Sequence, residues 1–295
     1  MIKTPLTRWF DLTTPVIGAP MAGVSGGELA AAVSRAGGLG TIGVSGRHSA
    51  GFVTEQCAIP AAELLPFGVG LMIWTLQDRP ELFDATVAAE PSLVSMSFGD
   101  PAPYVGPLHD AGIAVAAQVN TVADAERAIE AGVDVLVAQG TEAGGHTGGR
   151  ALLPLLQEVR TRTDRPIVAA GGIATGRAMA AMLVAGAAGV WVGTALLSCT
   201  EGLNGAAAQQ RIREATGDET VLTRAFDVAE GAAWPERWPG RALVNDFSRE
   251  WHGREDELRG TPEARQRVVD GRRTGNPGTA PVYAGESVGL VVAER

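Results

Sequence analysis

The sequence contains little cysteine, few aromatic residues and no excess of positive charge. Its two cysteines, Cys57 and Cys199, show neither a disulfide framework nor metal-ligand spacing, so we expect two buried, reduced thiols and no metal site. Aromatic residues make up only 5% of the chain, which argues against a base-stacking surface. A formal net charge of −9 argues against nucleic-acid or anionic-membrane partners, because both require a basic surface.

Long uncharged hydrophobic runs are also missing. No stretch of about 18 residues is apolar enough to predict a membrane span. Residues 1–12 lack the apolar centre of a signal peptide. We therefore expect a cytoplasmic protein with a small-molecule substrate and no membrane partner.

Glycine and small apolar residues are abundant, and they form a weak repeat. Helical segments end in Ala-Gly, and a short apolar strand follows at once, at Ala36-Gly37, Ala111-Gly112, Ala131-Gly132 and Ala185-Gly186. The glycine fits a left-handed helix C-cap. A strand that is apolar on both faces is typical of a buried parallel sheet.

Eight such strands are predicted, with helices between them. The strands lie around 15–19, 39–43, 67–73, 92–97, 113–119, 133–139, 166–171 and 189–193. The helices include Gly27–Arg35, Thr121–Glu130, Leu152–Arg162 and Arg177–Leu183. Eight alternating units favour a (β/α)8 TIM barrel of the α/β class. An open, doubly wound sheet with a helical cap is the competing architecture.

Residues beyond the eighth strand have a different, more charged character. We divide the chain into a barrel core at 1–200 and a mainly helical C-terminal appendage of the same domain at 201–295. Helices are predicted near 246–258 and 262–272, with an interruption at Trp234-Pro-Glu-Arg-Trp-Pro239. The appendage is expected to pack on the barrel's C-terminal face and narrow its mouth. A contact within a homodimer is an equally favoured alternative.

One glycine string is misleading. Gly38-Leu-Gly-Thr-Ile-Gly43 satisfies the G-x-G-x-x-G pattern of dinucleotide folds. That pattern binds pyrophosphate only when it follows a strand and begins a helix. Here it follows a helix, so we interpret it as a helix cap and a strand.

The loop after the sixth strand carries the clearest functional signal. Residues 135–149 combine an apolar strand with five glycines and His146. Barrel enzymes place catalytic groups at strand C-termini, and histidine titrates near neutrality. His48, His109 and His252 lie in polar segments and are expected to be solvated. A structural histidine is the alternative for His146, and Glu142 either orients the imidazole or caps a turn.

Two glycine-containing turns predict a phosphate site. Gly171-Gly172 ends the seventh strand, and Gly193-Thr194 ends the eighth. Barrels commonly bind phosphate there with backbone N–H groups and a helix N-terminus. Tight turns that need glycine for geometry alone are the alternative. Gln118 and Gln139, at the ends of strands 5 and 6, offer amides to a heterocycle or to neighbouring backbone.

These motifs resemble the nitronate monooxygenase family, whose members are FMN-dependent TIM barrels. The matching segments are Gly18-Ala-Pro-Met-Ala-Gly23, Gln139-Gly-Thr-Glu-Ala-Gly-Gly-His146, Ala169-Ala-Gly-Gly-Ile173 with Gly176-Arg177, Val192-Gly193-Thr194 and Tyr283-Ala-Gly-Glu-Ser-Val-Gly289. The resemblance implies that FMN lies on the strand ends. Its ring and ribityl chain would contact Pro20, Met21, Ala22, Met72, Gln118, Gly144 and Gly145. Its phosphate would lie on Ala170, Gly171, Gly172, Gly193 and Thr194.

The resemblance also implies an activity, the oxidation of alkyl nitronates with O₂. His146 would face the flavin and either stabilise the nitro group's charge or remove a proton. Ala195 replaces an arginine common in relatives, and Gln118 replaces the lysine of the related quinone reductases. Two alternatives stay open: an FMN-dependent NAD(P)H reductase of enoyl thioesters or quinones, and a barrel that binds FMN or a phosphosugar without turnover. A nucleotide dehydrogenase is disfavoured, because it needs a cysteine after strand 6.

Overall fold

A closed barrel of eight parallel strands forms the centre of the protein. The computed structural model describes residues 2–291. Residue 1 of the predicted barrel core and residues 292–295 of the predicted appendage therefore lie outside the described residues. The barrel strands are β1 (Val16–Gly18), β2 (Gly40–Gly43), β3 (Phe67–Met72), β4 (Leu93–Ser97), β5 (Ala114–Val119), β6 (Val135–Gln139), β8 (Ile167–Ala170) and β9 (Gly189–Val192). A further short strand, β7 (Gly145–His146), lies outside the barrel.

Neighbouring strands pair in parallel around the whole barrel. β1 pairs with β9, and a bridge between Ile17 and Leu39 joins it to the start of β2. All eight predicted strands are present, with ends within two residues of the predicted bounds. The TIM-barrel prediction is confirmed and the open doubly wound sheet is wrong. The string at 38–43 contains β2, as predicted, and no helix begins there.

Helices fill the connections and pack on the outside of the barrel. They are α1 (Pro5–Trp9), α2 (Gly27–Arg35), α3 (Ala50–Ala62), α4 (Ile73–Leu76), α5 (Pro80–Ala88), α6 (Ala102–Asp110), α7 (Val122–Ala131), α8 (Leu152–Arg160) and α9 (Gly176–Val184). The glycines of the four Ala-Gly repeats have φ angles of +87°, +73°, +93° and +101°. They therefore take the left-handed conformation that the repeat predicts.

The N-terminal end of the barrel is closed by apolar side chains. Leu6, Phe10 and Leu12 are buried against Ile17 and other interior residues. A Cβ at Gly189 would lie 2.6 Å from Leu6 Cδ2, so glycine is needed where the α1 segment packs on the start of β9. The opposite, C-terminal end is therefore the one available for a site.

The chain after β9 forms a compact unit with its own small core. Its elements are α10 (Ala206–Glu214), β10 (Thr220–Thr223), α11 (Ala225–Glu230), β11 (Gly240–Leu243), α12 (Asp246–Trp251), α13 (Glu255–Arg259) and α14 (Pro262–Thr274). The single helix predicted near 246–258 is wrong, because Gly253 at φ +80° separates α12 from α13. The helix near 262–272 is confirmed as α14.

This C-terminal unit is joined to the barrel mouth by a small antiparallel sheet. β11 pairs with β10 on one side and with β7 on the other, so Gly240 lies opposite His146. Strand pairing thus connects residues after 200 to the loop that carries the histidine. The division of the chain into a core at 1–200 and an appendage at 201–295 stays a prediction. The use of the appendage as a homodimer contact also stays a prediction.

One of the two cysteines is buried, as expected, and the other is not. Cys57 is buried, and burial raises the pKa of its thiol to about 12. Cys199 is only half-buried, and it lies three residues after the turn Thr194–Leu196. Within residues 2–291, no helix has the length and apolar character that a membrane crossing needs.

Candidate active site

The predicted site residues lie on the ends of neighbouring strands. Met72 ends β3, Gln139 ends β6, and the Gly171 and Gly193 turns follow β8 and β9. Since the strands are parallel and the barrel is closed, all these ends meet at one mouth. The fold therefore brings the predicted flavin and phosphate residues to the same face of the molecule.

The two glycines after β8 form an open backbone turn. Gly171 and Gly172 have φ angles of +114° and +66°, which L side chains rarely adopt. Within residues 2–291, neither N–H group donates a hydrogen bond. Helix α9 begins just beyond, where the Thr175 hydroxyl accepts a hydrogen bond from the Ala178 N–H. Free N–H groups before a helix N-terminus suit an anionic oxygen.

The loop after β1 lies across the ends of β2 and β3. A Cβ at Gly70 would lie 2.3 Å from Pro20, and a Cβ at Gly43 would lie 2.5 Å from the backbone of Met21 and Ala22. These two strand glycines therefore allow the loop to approach closely. A Cβ at Gly193 would lie 3.3 Å from Met21 Sδ, so the loop also borders the turn after β9.

A chain of amides crosses the mouth between β5 and β6. Gln139 Oε1 accepts hydrogen bonds from Gln118 Nε2 and Asn120 Nδ2, both at 2.9 Å. Asn120 Oδ1 in turn accepts a hydrogen bond at 3.2 Å from the Trp238 indole N–H of the C-terminal unit. The side-chain oxygen of Gln118 and the side-chain NH₂ of Gln139 have no hydrogen-bond partner within residues 2–291. The network fixes both glutamines and leaves these groups for a ligand.

His146 is buried beside a carboxylate from the C-terminal unit. Its side chain is 8% exposed, and its Nε2 lies 3.0 and 3.1 Å from the two carboxylate oxygens of Asp227. Its Nδ1 makes no hydrogen bond within the described chain. The arrangement leaves one ring nitrogen for a substrate.

Aromatic side chains surround the imidazole. Trp234 stacks on it with ring centroids 3.5 Å apart and planes 8° from parallel. Phe98 and Tyr283 approach it at 6.4 and 5.4 Å between centroids. Phe98 holds φ at +62°, an unusual angle for a bulky residue that turns the chain at the end of β4. Burial raises the pKa of the Tyr283 phenol.

The C-terminal segment closes over the loop before His146. The Gly285 N–H donates to Thr194 Oγ1 at 2.9 Å, and the Glu286 N–H donates to the Glu142 carbonyl at 3.0 Å. A Cβ at Gly144 would lie 2.6 Å from the backbone of Ala284 and Gly285. The Tyr283–Gly289 motif thus holds the histidine loop against the turn after β9.

Glu142 and the remaining histidines have other surroundings. The Glu142 carboxylate accepts hydrogen bonds from the Leu152 N–H at 3.2 and 3.3 Å, so it caps α8 and does not orient His146. His109 and His252 are exposed, as expected. The expectation that His48 is solvated is wrong, because it is half-buried and stacks on Phe52 at 4.0 Å.

Sequence reasoning missed Asp227 and Trp234. Both lie in the span to which it assigned no site residue, and Asp227 is 81 positions from His146. The only local signal was the Trp-Pro interruption at 234–239, which marks a loop without showing where it packs.

Comparison with known proteins shows the family. The family model for nitronate monooxygenase matches residues 3–85 and 81–268. A nitronate monooxygenase of Neurospora crassa is 30% identical over 99% of this chain and 89% of its own length. One from Pseudomonas aeruginosa is 34% identical over 78% of this chain and 79% of its own.

Solved structures agree in fold. FabK from Thermotoga maritima has a TM-score of 0.86 at 28% identity, covering 99% of this chain and 91% of its own. Nitroalkane oxidase from Streptomyces ansochromogenes has a TM-score of 0.81 at 29% identity, covering 97% and 93%. The family is flavin-dependent, and its members are oxidoreductases. The chain therefore belongs to the nitronate monooxygenase family.

Proposed function

We propose that this protein binds FMN at the barrel mouth and oxidises alkyl nitronates with O₂, with His146 as the catalytic residue. The observation that carries the proposal is the position of His146. It is buried in the loop after β6, the strand that Gln139 ends, and the turn with the free N–H groups of Gly171 and Gly172 follows the neighbouring strand β8. The nitronate monooxygenase of Neurospora crassa matches 99% of the chain.

The strand ends fit a flavin mononucleotide. The turn at Gly171 and Gly172 offers unpartnered N–H groups and adds no side chain, which suits one terminal phosphate. Gln118 and Gln139 retain one free acceptor and one free donor, which suits the polar edge of an isoalloxazine ring. A Cβ at Gly145 would meet nothing within 4 Å, so that part of the loop leaves room beside the ring.

The flavin, when bound, supplies the redox chemistry that links nitronate oxidation to O₂ reduction. The protein's own part is to bind and orient the substrate. As an imidazolium, His146 would donate from Nδ1 to a nitronate oxygen and stabilise its negative charge. As a neutral imidazole, it would accept the α-proton of a nitroalkane. Trp234 and Phe98 would keep water from this position.

Oxygen uptake tests the proposal. Purified protein loaded with FMN should consume O₂ with propyl nitronate, and His146→Ala should lose at least about a hundredfold in kcat. The exposed His109→Ala is the matched control and should keep full activity. Uptake that is equal in His146→Ala and the native protein, with flavin bound in both, would show that His146 has no catalytic role.

NADH-dependent turnover distinguishes the second candidate. If the protein oxidises NADH with a quinone or an enoyl thioester and leaves nitronates untouched, it is a reductase with the same cofactor site. If the FMN-bound protein shows neither nitronate oxidation nor NADH-dependent reduction, a barrel that binds FMN without turnover is favoured. The homodimer is also part of the proposal, and sedimentation at several concentrations measures it.

A further inference from the structure

We propose that Asp227 is a positioning residue: its carboxylate fixes the tautomer of His146 so that the proton lies on Nε2 and Nδ1 is presented to the substrate. The effect on substrate turnover rests on the proposed function. The tautomer itself does not, because it follows from contacts within the chain.

The Asp227 carboxylate is isolated from other donors. The Asp227 side chain is 8% exposed, and within residues 2–291 its oxygens have no hydrogen-bond or ion-pair partner other than His146 Nε2. A buried carboxylate without a donor is costly, so it strongly favours a proton on the nitrogen that faces it. The same choice leaves Nδ1 with its lone pair when the ring is neutral.

The surrounding residues preserve this geometry. A Cβ at Gly240 would lie 3.4 Å from His146 Nε2 and 2.8 Å from the Tyr283 ring, so the glycine of β11 leaves room for the pair. Trp234 stacks on the ring within 8° of parallel, which restricts rotation of the imidazole. Both constraints come from the unit that also supplies Asp227.

Titratable and charged groups surround the imidazole at two distances. Asp227 from α11 and the phenol of Tyr283 contact it directly. Glu230 with its partners Arg47 and Arg272 lies near Tyr283. Arg241, on the adjoining β11, directs its guanidinium to the Thr141 carbonyl and to Glu286 instead. Asp227 is therefore the charged group within hydrogen-bond distance of the ring.

The tautomer determines where a proton would go with each form of the substrate. With a neutral nitroalkane, the α-proton would move to Nδ1 and leave an imidazolium paired with Asp227, while the substrate keeps the electron pair as a nitronate. With a preformed nitronate no proton moves, and the imidazolium would donate a hydrogen bond from Nδ1. Asp227 supports both modes without contacting the substrate.

Nitrogen NMR tests the tautomer directly. In the flavin-loaded protein labelled with ¹⁵N-histidine, the His146 signals are assigned by their loss in His146→Gln. We expect a protonated Nε2 and an unprotonated Nδ1 when the ring is neutral. A native spectrum with the proton on Nδ1 would overturn the proposal, even if no variant of Asp227 folds.

Asp227→Asn tests the role in turnover, with the exposed Asp246→Asn in the same unit as the control. We expect Asp227→Asn to bind FMN normally and to lower kcat at least about tenfold, with a smaller change in KM.

A His146 tautomer that is the same in Asp227→Asn as in the native protein would contradict the proposal. If the native protein does not oxidise nitronates at all, the proposed function fails, whereas the NMR comparison still decides the part played by Asp227.

Discussion

The indole of Trp234 lies flat against the imidazole of His146, with their centroids 3.5 Å apart. The same indole contacts Trp74, which follows β3, and Phe98, which follows β4. Their ring centroids lie 5.1 and 4.9 Å from its own. A loop from the C-terminal unit is thus packed among barrel loops at the candidate site. The size of this indole therefore sets the space beside the histidine.

Replacing Trp234 with alanine should broaden the substrate range. Removal of the indole opens a volume next to His146, so the ratio of kcat/KM for an aryl nitronate to that for propyl nitronate should rise at least about fivefold. Steady-state oxygen uptake with the two nitronates measures the ratio. Trp9→Ala, at a half-exposed tryptophan of α1 outside the site, should leave it unchanged. A ratio that is equal in Trp234→Ala and the native protein would show that the indole does not limit the substrate.

Gly172→Ala should weaken FMN binding. Its φ of +66° is unfavourable for alanine by about 1 kcal/mol, and its new Cβ would lie 3.2 Å from Glu142 Cγ. We expect the Kd for FMN, measured by quenching of flavin fluorescence, to rise about tenfold. Gly112→Ala is the control, because it has a similar φ of +73° at the other end of the barrel. Equal FMN affinity in the two variants, with equal losses of stability, would exclude a phosphate contact at Gly172.

The barrel could be predicted from sequence because its signals are local. Each strand is a short apolar run, and four of the eight, β2, β5, β6 and β9, follow an Ala-Gly helix cap directly. The pairing of β7 with β11 could not be predicted in this way. Gly145 and His146 form only a two-residue strand, and their partners Gly240 and Arg241 lie about a hundred residues further on.

Gln139→Leu should destabilise the protein. The substitution removes the side-chain acceptor of Gln118 and Asn120, at a cost of about 2 kcal/mol in the free energy of unfolding. The half-buried Gln118 amide loses its partner, whereas the buried Asn120 amide keeps its bond to the Gln139 backbone carbonyl. Urea unfolding measures this free energy. Gln157→Leu, at an exposed glutamine of α8, should change it by less than about 0.5 kcal/mol. Equal stability of the two variants would mean that the network contributes nothing.

Protonation of His48 should lower stability in mild acid. Burial lowers the pKa of His48 below 6.5, its ordinary value, so the unfolded chain binds the proton more tightly than the folded one. Its contribution is complete above about pH 6.5 and is lost as the pH falls through that value toward the lower folded-state pKa. His48→Asn keeps an acceptor for the Ser45 N–H and should flatten the decline in unfolding free energy between about pH 7 and 5.

His252→Asn is the control for this pH series, because His252 is exposed. The exposed carboxylates with lowered pKa values, such as Glu63 and Glu219, titrate below this window. A decline that is equally steep in His48→Asn and the native protein would assign the acid sensitivity to other groups.

The candidate site was predictable only on the barrel side. Gln118 lies near the end of β5, His146 lies in the loop after β6, and the two glycine turns follow β8 and β9, where the barrel pattern places them. Asp227 and Trp234 complete the site through contacts between distant segments, and no periodic pattern shows which loop of the C-terminal unit reaches the mouth. Glu142 was ambiguous for a similar reason, since the sequence does not show that its carboxylate faces the start of α8.

The central claim, that this barrel uses FMN to oxidise nitronates, is tested most directly by mixing the FMN-loaded protein with substrate in the absence of O₂. Propyl nitronate should bleach the visible flavin absorbance within a turnover, and NADH should leave it unchanged over the same time. Bleaching by NADH together with no response to nitronate would contradict the account and assign the protein to the reductases.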